Sequence, residues 1–256
     1  SKSKITALII FVLLLNQTCI QKLKAEAKLN DPAKELMKKM DAATNADKLK
    51  TAKSVYFKMS MTIADANISG TTEITATNNK AYIKVSIAGT ETEMGYNGKT
   101  AWSKDITQGL REISGQEKES VIQATIDVMR DQKAYYNEIT TAPDEKFEGK
   151  DCFVLILKKE GLSDKKMFVD KTTYLTSGAS ETQDTPQGKM TVKTIITSYK
   201  KLENGYLMAD NMTQDMGIMK MKLAILEVRV NDTVDDKAKV DGIVIVDDKI
   251  FNQPEK

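Results

Sequence analysis

Residue types that carry most enzyme chemistry are scarce in this chain of 256 residues. It contains no histidine and two cysteines, Cys19 and Cys152, which excludes Ser-His-Asp and Cys-His catalysis. Two cysteines and carboxylates are a poor ligand set for zinc. The acidic pairs Asp235-Asp236 and Asp247-Asp248 lie in polar segments, where adjacent acids are more often solvated surface than a glycosidase-type pair. The sequence therefore predicts a protein that is not an enzyme, with no catalytic residues, metal or cofactor.

Methionines are concentrated in one segment, where they would serve binding rather than catalysis. Five of the thirteen lie between positions 208 and 221: Met208, Met212, Met216, Met219 and Met221. Unbranched thioether side chains repack around ligands of variable shape, which favours a deformable apolar lining. The same spacing is typical of core residues on a strand. Both interpretations stay open at this point.

An alternating stretch from 54 to 102 predicts the sheet that would position such residues. Apolar residues occupy positions 55, 57, 59, 61 and 63, with Lys58, Ser60 and Thr62 between them. Side chains on a strand point to opposite faces in turn, so this pattern indicates a strand with one apolar face. Further runs follow at 68–77, 81–87 and 90–96, and a last one ends at Trp102. The stretch predicts an antiparallel meander with one apolar and one polar face.

Two amphipathic helices are predicted to cover the apolar face. Asp31 would cap the first helix, with Pro32 at its first position. Ser114 and Glu117 have the spacing of a capping box for the second helix. The residues that repeat at helical spacing in this second helix are Val121, Ile122, Thr125, Ile126 and Met129. The segment 105–115 between the meander and this helix is predicted to be a loop.

Strands resume at residue 146 and continue to residue 230. The apolar run 152–157 is continuous, which indicates burial on both faces, with Cys152 packed as a small hydrophobic residue. In the run 218–230 the apolar phase changes at Leu226, which predicts a bulge or a bend. The pattern predicts nine to eleven antiparallel strands and two helices in a single domain over 28–241, followed by a tail over 242–256.

The N-terminal segment has the features of an export signal. Lys2 and Lys4 precede an apolar run at 5–15, and Ala25-Glu26-Ala27 follows, so residues 1–27 match a secretory signal peptide. A lipoprotein signal ending before Cys19, which would then be lipidated, is the alternative. Either one places the protein in the periplasm or cell envelope. The formal net charge is +2 with mixed charges along the chain, so no nucleic-acid partner is expected.

Five segments, taken in order, resemble the periplasmic lipoprotein carrier and outer-membrane lipoprotein-sorting (LolA-like) family. They are YNGKTAW at 96–102, FEGKDCFVLIL at 147–157, MFVDKTTYL at 167–175, TSYKKLENGYLMADNM at 197–212 and EVRVND at 227–232. The resemblance implies a mainly β (α+β) fold, an unclosed antiparallel β-barrel whose concave apolar face is lidded by helices. It also implies that the cavity holds acyl chains of a lipoprotein or lipid, received from and passed to membrane-associated donor and acceptor proteins.

The resulting hypothesis is a monomeric envelope carrier that shields acyl chains in the half-barrel. The candidate lining residues are Phe57, Met59, Met61, Ile83, Val85, Met94, Trp102, Met219 and Met221, with Ile122 and Ile126 on the lid. Each of them is also a candidate for the plain core of a filled barrel. Two other functions remain open: a regulatory sensor that binds lipid or lipoprotein and signals to a protein partner, and a ligand-free secreted structural or adhesive domain.

Overall fold

The computed structural model describes residues 27–185, 188–231, 239–240 and 243–244. The predicted signal sequence up to residue 26, the lipidation candidate Cys19 and both acidic pairs lie outside these residues. Most of the tail predicted from residue 242 also lies outside them. Within the tail, the short strand Ile243–Val244 pairs with Lys239–Val240.

Fourteen strands of the described residues form one sheet, and its two edge strands do not meet. Its order is β1-β8-β9-β10-β11-β12-β13-β14-β2-β3-β4-β5-β6-β7. Neighbouring strands are antiparallel except the short parallel pair β1 and β8. The predicted mainly β, unclosed barrel is confirmed, with more strands than the nine to eleven expected. The strands are β1 Lys28–Leu29, β2 Ser54–Ile63, β3 Ile68–Thr77, β4 Ala81–Ile87, β5 Thr90–Tyr96, β6 Ala101–Asp105, β7 Gly109–Ile113, β8 Glu138–Phe147, β9 Lys150–Lys158, β10 Lys165–Asp170, β11 Thr176–Thr185, β12 Gly188–Lys201, β13 Leu207–Asp215 and β14 Lys220–Asn231.

Strand β7 lies inside the segment 105–115 that was predicted to be a loop, and that prediction is wrong. The carboxylate of Asp105 accepts hydrogen bonds from the backbone N–H groups of Thr107 and Gln108, at 2.7 and 2.8 Å. Gly109 then adopts a φ of 69°, so the chain reverses and pairs with β6. Five residues are too few for an alternating pattern to stand out in the sequence.

Helix α1 spans Asp31–Thr44 and begins one residue earlier than the predicted cap implies. The N-cap is Asn30, whose side-chain oxygen accepts a hydrogen bond from the backbone N–H of Ala33 at 3.0 Å. Asp31 lies in the first turn instead, where a carboxylate is favoured by the positive end of the helix dipole.

The predicted second helix is two helices, α2 Gly115–Ile122 and α3 Ile126–Arg130. Thr125 between them is extended, with φ −76° and ψ 154°. The backbone N–H of Asp127 donates to the carbonyl of Asn78 at 2.9 Å, which ties α3 to the turn between β3 and β4. Ser114 occupies the cap position of α2 but makes no side-chain capping bond, so the predicted capping box does not form.

The inner face of the sheet, defined by Phe57, Ile74, Ile83 and Met94 as direct neighbours across β2 to β5, carries the main core. Side chains of α2 and α3, including Ile122 and Ile126, belong to the same buried cluster. The predicted change of phase in β14 is confirmed, because the pairing with β2 shifts between Ile225 and Glu227.

The outer face of the same strands is polar, as the alternation predicted. Five charged residues are successive neighbours across β2 to β6, with signs that alternate: Lys58, Glu73, Lys84, Glu93 and Lys104. Opposite charges on adjacent strands stabilise the sheet modestly.

Strand β9 is buried on both faces, which confirms the interpretation of its continuous apolar run. Leu155 and Leu157 pack with α1 residues Leu36 and Met37 in a second core. On the opposite face Cys152, which is fully buried, packs in a small third cluster with Val154, Phe147 and Phe168.

Candidate functional site

A cavity of about 200 Å³ lies between the helices and the inner face of the central strands. Strands β11 to β14 and the start of β2 provide its sheet wall, while α1, α3 and the turn after α3 provide the opposite wall. Its apolar lining includes Met37, Met40, Phe57, Met129, Met208 and Met212. Flexible thioethers therefore line much of this space, as a site that adapts to an apolar ligand would require.

The methionine segment 208–221 divides between the cavity and the main core. Met208 and Met212 line the cavity. Met212 also belongs to the main core together with Met216 and Met221, and Met208 and Met219 pack against that core. Both interpretations of the methionine segment thus describe part of it.

Four charged residues line the cavity: Asp41, Arg130, Asp131 and Lys133. The Asp41 carboxylate and the Lys133 ammonium are 3.8 Å apart. Burial raises the pKa of Asp41 above its ordinary value, and the positive charge of Lys133 partly offsets this rise. The site therefore presents two acidic and two basic side chains beside its apolar lining, with Asp41 paired to Lys133.

Two tyrosines add hydroxyl groups to the lining. The Tyr199 hydroxyl donates to the carbonyl oxygen of Thr176 at 2.8 Å, and burial raises the pKa of Tyr199. Burial, together with the negative charge of Asp41, raises the pKa of Tyr206 to about 12. Both tyrosines are therefore neutral at physiological pH.

Arg130 holds the end of α3 against the sheet beside the cavity. Its guanidinium donates to the Lys50 carbonyl oxygen at 3.1 Å, to the Asn78 side-chain oxygen at 2.5 Å and to Asp127 at 3.0 Å. The first two contacts join α3 to the segment before β2 and to the β3–β4 turn, while the third lies within α3. Arg130 thus fixes one wall of the cavity.

The sequence-predicted lining residues lie mostly in the filled core rather than at the cavity. Phe57 lines the cavity. Eight others are buried in the main core: Met59, Met61, Ile83, Val85, Met94, Ile122, Ile126 and Met221. Met219 packs against that core. A role of these residues in ligand binding stays a prediction, and for the eight core residues it would require the core to open.

Trp102 lies on the outer face, which corrects its assignment to the concave face. Its indole ring centroid is 6.3 Å from that of Tyr82, and the ring covers Gly95, where an added Cβ would clash with it. Its neighbour Ala101 packs in the main core. Because Ala101 and Trp102 are both apolar, the alternation could not select the face for this short strand.

Several residues that line the cavity were not predicted from the sequence. Met37 and Met40 lie on the apolar stripe of α1, so the helical spacing offered a signal for them. Tyr199 and Tyr206 flank the β12–β13 turn, where no periodicity marks an inward direction. Their location depends on how the strand ends curl over the cavity.

In the part of the chain that the structure describes, no group of three or more histidine, cysteine or acidic side chains is arranged to hold a metal ion. No helix in this part combines the length and the apolar character needed to cross a membrane.

The architecture is similar to that of several solved structures. A DUF1329 family protein from Desulfovibrio piger aligns with 81% of this chain and 96% of its own, at 16% identity and a TM-score of 0.53. A putative outer membrane lipoprotein-sorting protein domain from Vibrio parahaemolyticus aligns with 78% and 93%, at 14% identity and a TM-score of 0.52. A LolA superfamily protein from Nitrosomonas europaea aligns with 78% and 94%, at 12% identity and a TM-score of 0.53.

The chain has a LolA-like fold. This confirms, for the fold, the resemblance noted in the sequence. At identities of 12–16%, similarity to a solved structure supports a shared fold. No protein-family model matches the sequence, and no curated protein matches it at a significant level.

Proposed function

We propose that this protein binds acyl chains of a lipid or lipoprotein in the cavity and carries them within the bacterial envelope. The observation that carries the proposal is the cavity itself, an apolar space between α1, α3 and the sheet that the side chains leave open. Each methylene group transferred from water into it would contribute about 0.8 kcal/mol of binding free energy. The LolA-like fold supports the same function by analogy.

The size of the cavity bears on how a ligand would enter. Its volume of about 200 Å³ is below the range of roughly 300–1,000 Å³ that is typical of pockets for drug-sized ligands. The cavity therefore holds part of an acyl chain, and a longer chain requires α1 or α3 to move away from the sheet. Met37, Met40 and Met129, which these helices contribute, can change rotamer at low cost during that movement.

Residues 28–241 act as one carrier domain, and the segment before them directs export to the periplasm or envelope, with Cys19 as the lipidation alternative. Membrane-associated proteins deliver and accept the cargo, and the carrier is a monomer. The protein catalyses no reaction.

Native mass spectrometry followed by lipid extraction of the protein from its own envelope fraction tests the proposal. A carrier should show additional mass that extracts as acyl lipid or lipopeptide, and the purified chain should take up a fluorescent fatty acid. A bare polypeptide mass with no uptake would instead favour a ligand-free structural domain, in agreement with the filled main core.

A further inference from the structure

Gln214 is a buried polar residue in otherwise apolar surroundings. Only 1% of its surface is exposed to solvent. Its side-chain oxygen has no hydrogen-bond partner in the described part of the chain. On its own strand Met212 lies two positions before it on the same face, and Met221 is directly opposite on β14. Met216 follows immediately after the end of the strand. Buried polar groups without a partner are rare in native proteins because desolvation is then not offset.

The position of Gln214 relates it to the cavity. The pairing of β12 with β13 is regular from Lys193 to Ile196 and places Thr194 opposite Gln214 and Ile196 opposite Met212. Thr194, Ile196 and Met212 all line the cavity. Gln214 is thus the next inward-facing residue beyond the cavity wall, at the end of the cavity towards the β13–β14 turn.

Other buried groups without a partner offer a comparison. The hydroxyls of Thr72 and Thr92 also lack a hydrogen bond, but neither residue lines the cavity. Arg130 does line it and has an unpaired Nε, but this group is a donor, and the other guanidinium nitrogens are bonded within the protein. A hydroxyl in a sheet can rotate to suit its surroundings, whereas the amide of Gln214 is larger and carries both a donor and an acceptor. Gln214 is therefore a buried unpaired acceptor next to the cavity wall, where an incoming donor would gain a hydrogen bond.

We propose that Gln214, with Thr194 beside it, forms a polar subsite at the inner end of the cavity that selects acyl ligands carrying a hydrogen-bond donor. The free oxygen of the Gln214 amide accepts from a hydroxyl or amide N–H group on the buried part of the ligand. An unsubstituted hydrocarbon chain leaves this oxygen unpaired and binds less tightly. This inference rests on the proposed function, because it names the class of acyl ligand that the same cavity prefers.

Matched probe pairs test the inference by displacement of a fluorescent fatty acid from the full chain. Dodecan-1-ol and its methyl ether differ in one hydroxyl donor, and dodecanamide and methyl dodecanoate differ in the amide N–H donor. We expect the wild-type chain to bind the donor-bearing member of at least one pair about five- to tenfold more tightly, the ratio of one net hydrogen bond. The pair that shows the difference distinguishes a hydroxylated from an amide-linked ligand.

Gln214→Leu should remove this preference while retaining affinity for the methyl ether, and Gln214→Met serves as a second variant that matches the neighbouring methionines. Thr92→Val is the matched control, since it removes an unpaired buried hydroxyl away from the cavity and should leave the preference unchanged. Equal binding of both members of each pair by the wild-type chain, or a preference that survives in the Gln214 variants, would overturn the inference while the proposed function stands. Absence of any uptake of the fluorescent fatty acid by the wild-type chain would instead contradict the proposed function.

Discussion

A bidentate ion pair joins Arg111 on the edge strand β7 to Glu117 on α2. The two terminal guanidinium nitrogens of Arg111 donate to the two carboxylate oxygens of Glu117, at 2.8 and 2.7 Å. The side chains are 25% and 31% exposed, so water screens the pair only partly. This bidentate ion pair therefore attaches α2 to the edge of the sheet.

Replacing Glu117 with glutamine should loosen α2. Loss of one partner of a partly buried pair is expected to cost about 1–2 kcal/mol, between the values for exposed and buried pairs. Amide hydrogen exchange should then accelerate within residues 115–122 and remain unchanged in β2 and β3. The exposed pair between Lys34 and Asp31 provides the control, because Lys34→Gln should change stability very little. Unaltered exchange in α2 would show that the ion pair does not hold the helix.

Gly95→Ala should destabilise the fold because the new methyl group would clash with Trp102 on the outer face of the sheet. A Cβ at this position overlaps the indole of Trp102, and overpacking of this kind costs about 1–3 kcal/mol. Urea denaturation of the two chains measures the difference. The double variant Gly95→Ala with Trp102→Leu should lose less stability than the sum of the two single variants, since the smaller side chain leaves room for the Cβ. Strict additivity would refute the proposed overlap.

Ala209→Phe should block the cavity without disrupting the fold. Ala209 lines the cavity, and an aromatic side chain there would occupy space that the acyl chain needs. We expect uptake of a fluorescent fatty acid to fall at least about tenfold, the equivalent of about 1.4 kcal/mol, while the far-ultraviolet circular dichroism is retained. Ala224→Phe is the control, because Ala224 pairs with Ser60 on the outer face. Equal uptake by both variants would place the ligand elsewhere.

Tyr206 should contribute to loss of stability at alkaline pH. Burial, with the charge of Asp41, raises its pKa from 10.0 to about 12. The unfolded chain therefore loses the phenolic proton first, and the free energy of unfolding should fall as the pH rises from about 10 to about 12. Tyr206→Phe should show a shallower decline over this window. Parallel unfolding curves for the variant and the wild type between pH 9 and pH 12 would contradict the assignment, and denaturant titrations at each pH measure it.

The pattern of strands could be predicted because it depends on local alternation. The runs of β2 and β4 have apolar residues at every second position, so their inward residues, such as Ile83 and Val85, were assigned to the correct face. The bulge near Leu226 was also visible, since an extra residue shifts the phase of the apolar positions. Short elements were harder to predict from the sequence. Strand β7 has only five residues, and its pairing depends on the turn at Asp105.

The division between core and cavity could not be predicted from the sequence. Met59 and Met208 are the same residue type in strands of the same sheet, yet Met59 is fully buried in the core and Met208 faces the cavity. Met59 belongs to the cluster that includes side chains of α2 and α3, whereas Met208 lies in the cavity wall that faces α1 and the turn after α3. An apolar residue that points inward becomes a core residue where helix side chains pack on it and a lining residue where a space remains between sheet and helices.

The sequence by itself determined that this chain forms an antiparallel sheet with one apolar face and lacks histidine-based chemistry, because alternation and composition are properties of the chain alone. The tertiary structure decided which face received Trp102, where the cavity lies and that Gln214 is enclosed among methionines. These features depend on strand register and helix packing, which bring together residues far apart in the chain, and no local pattern encodes such distances.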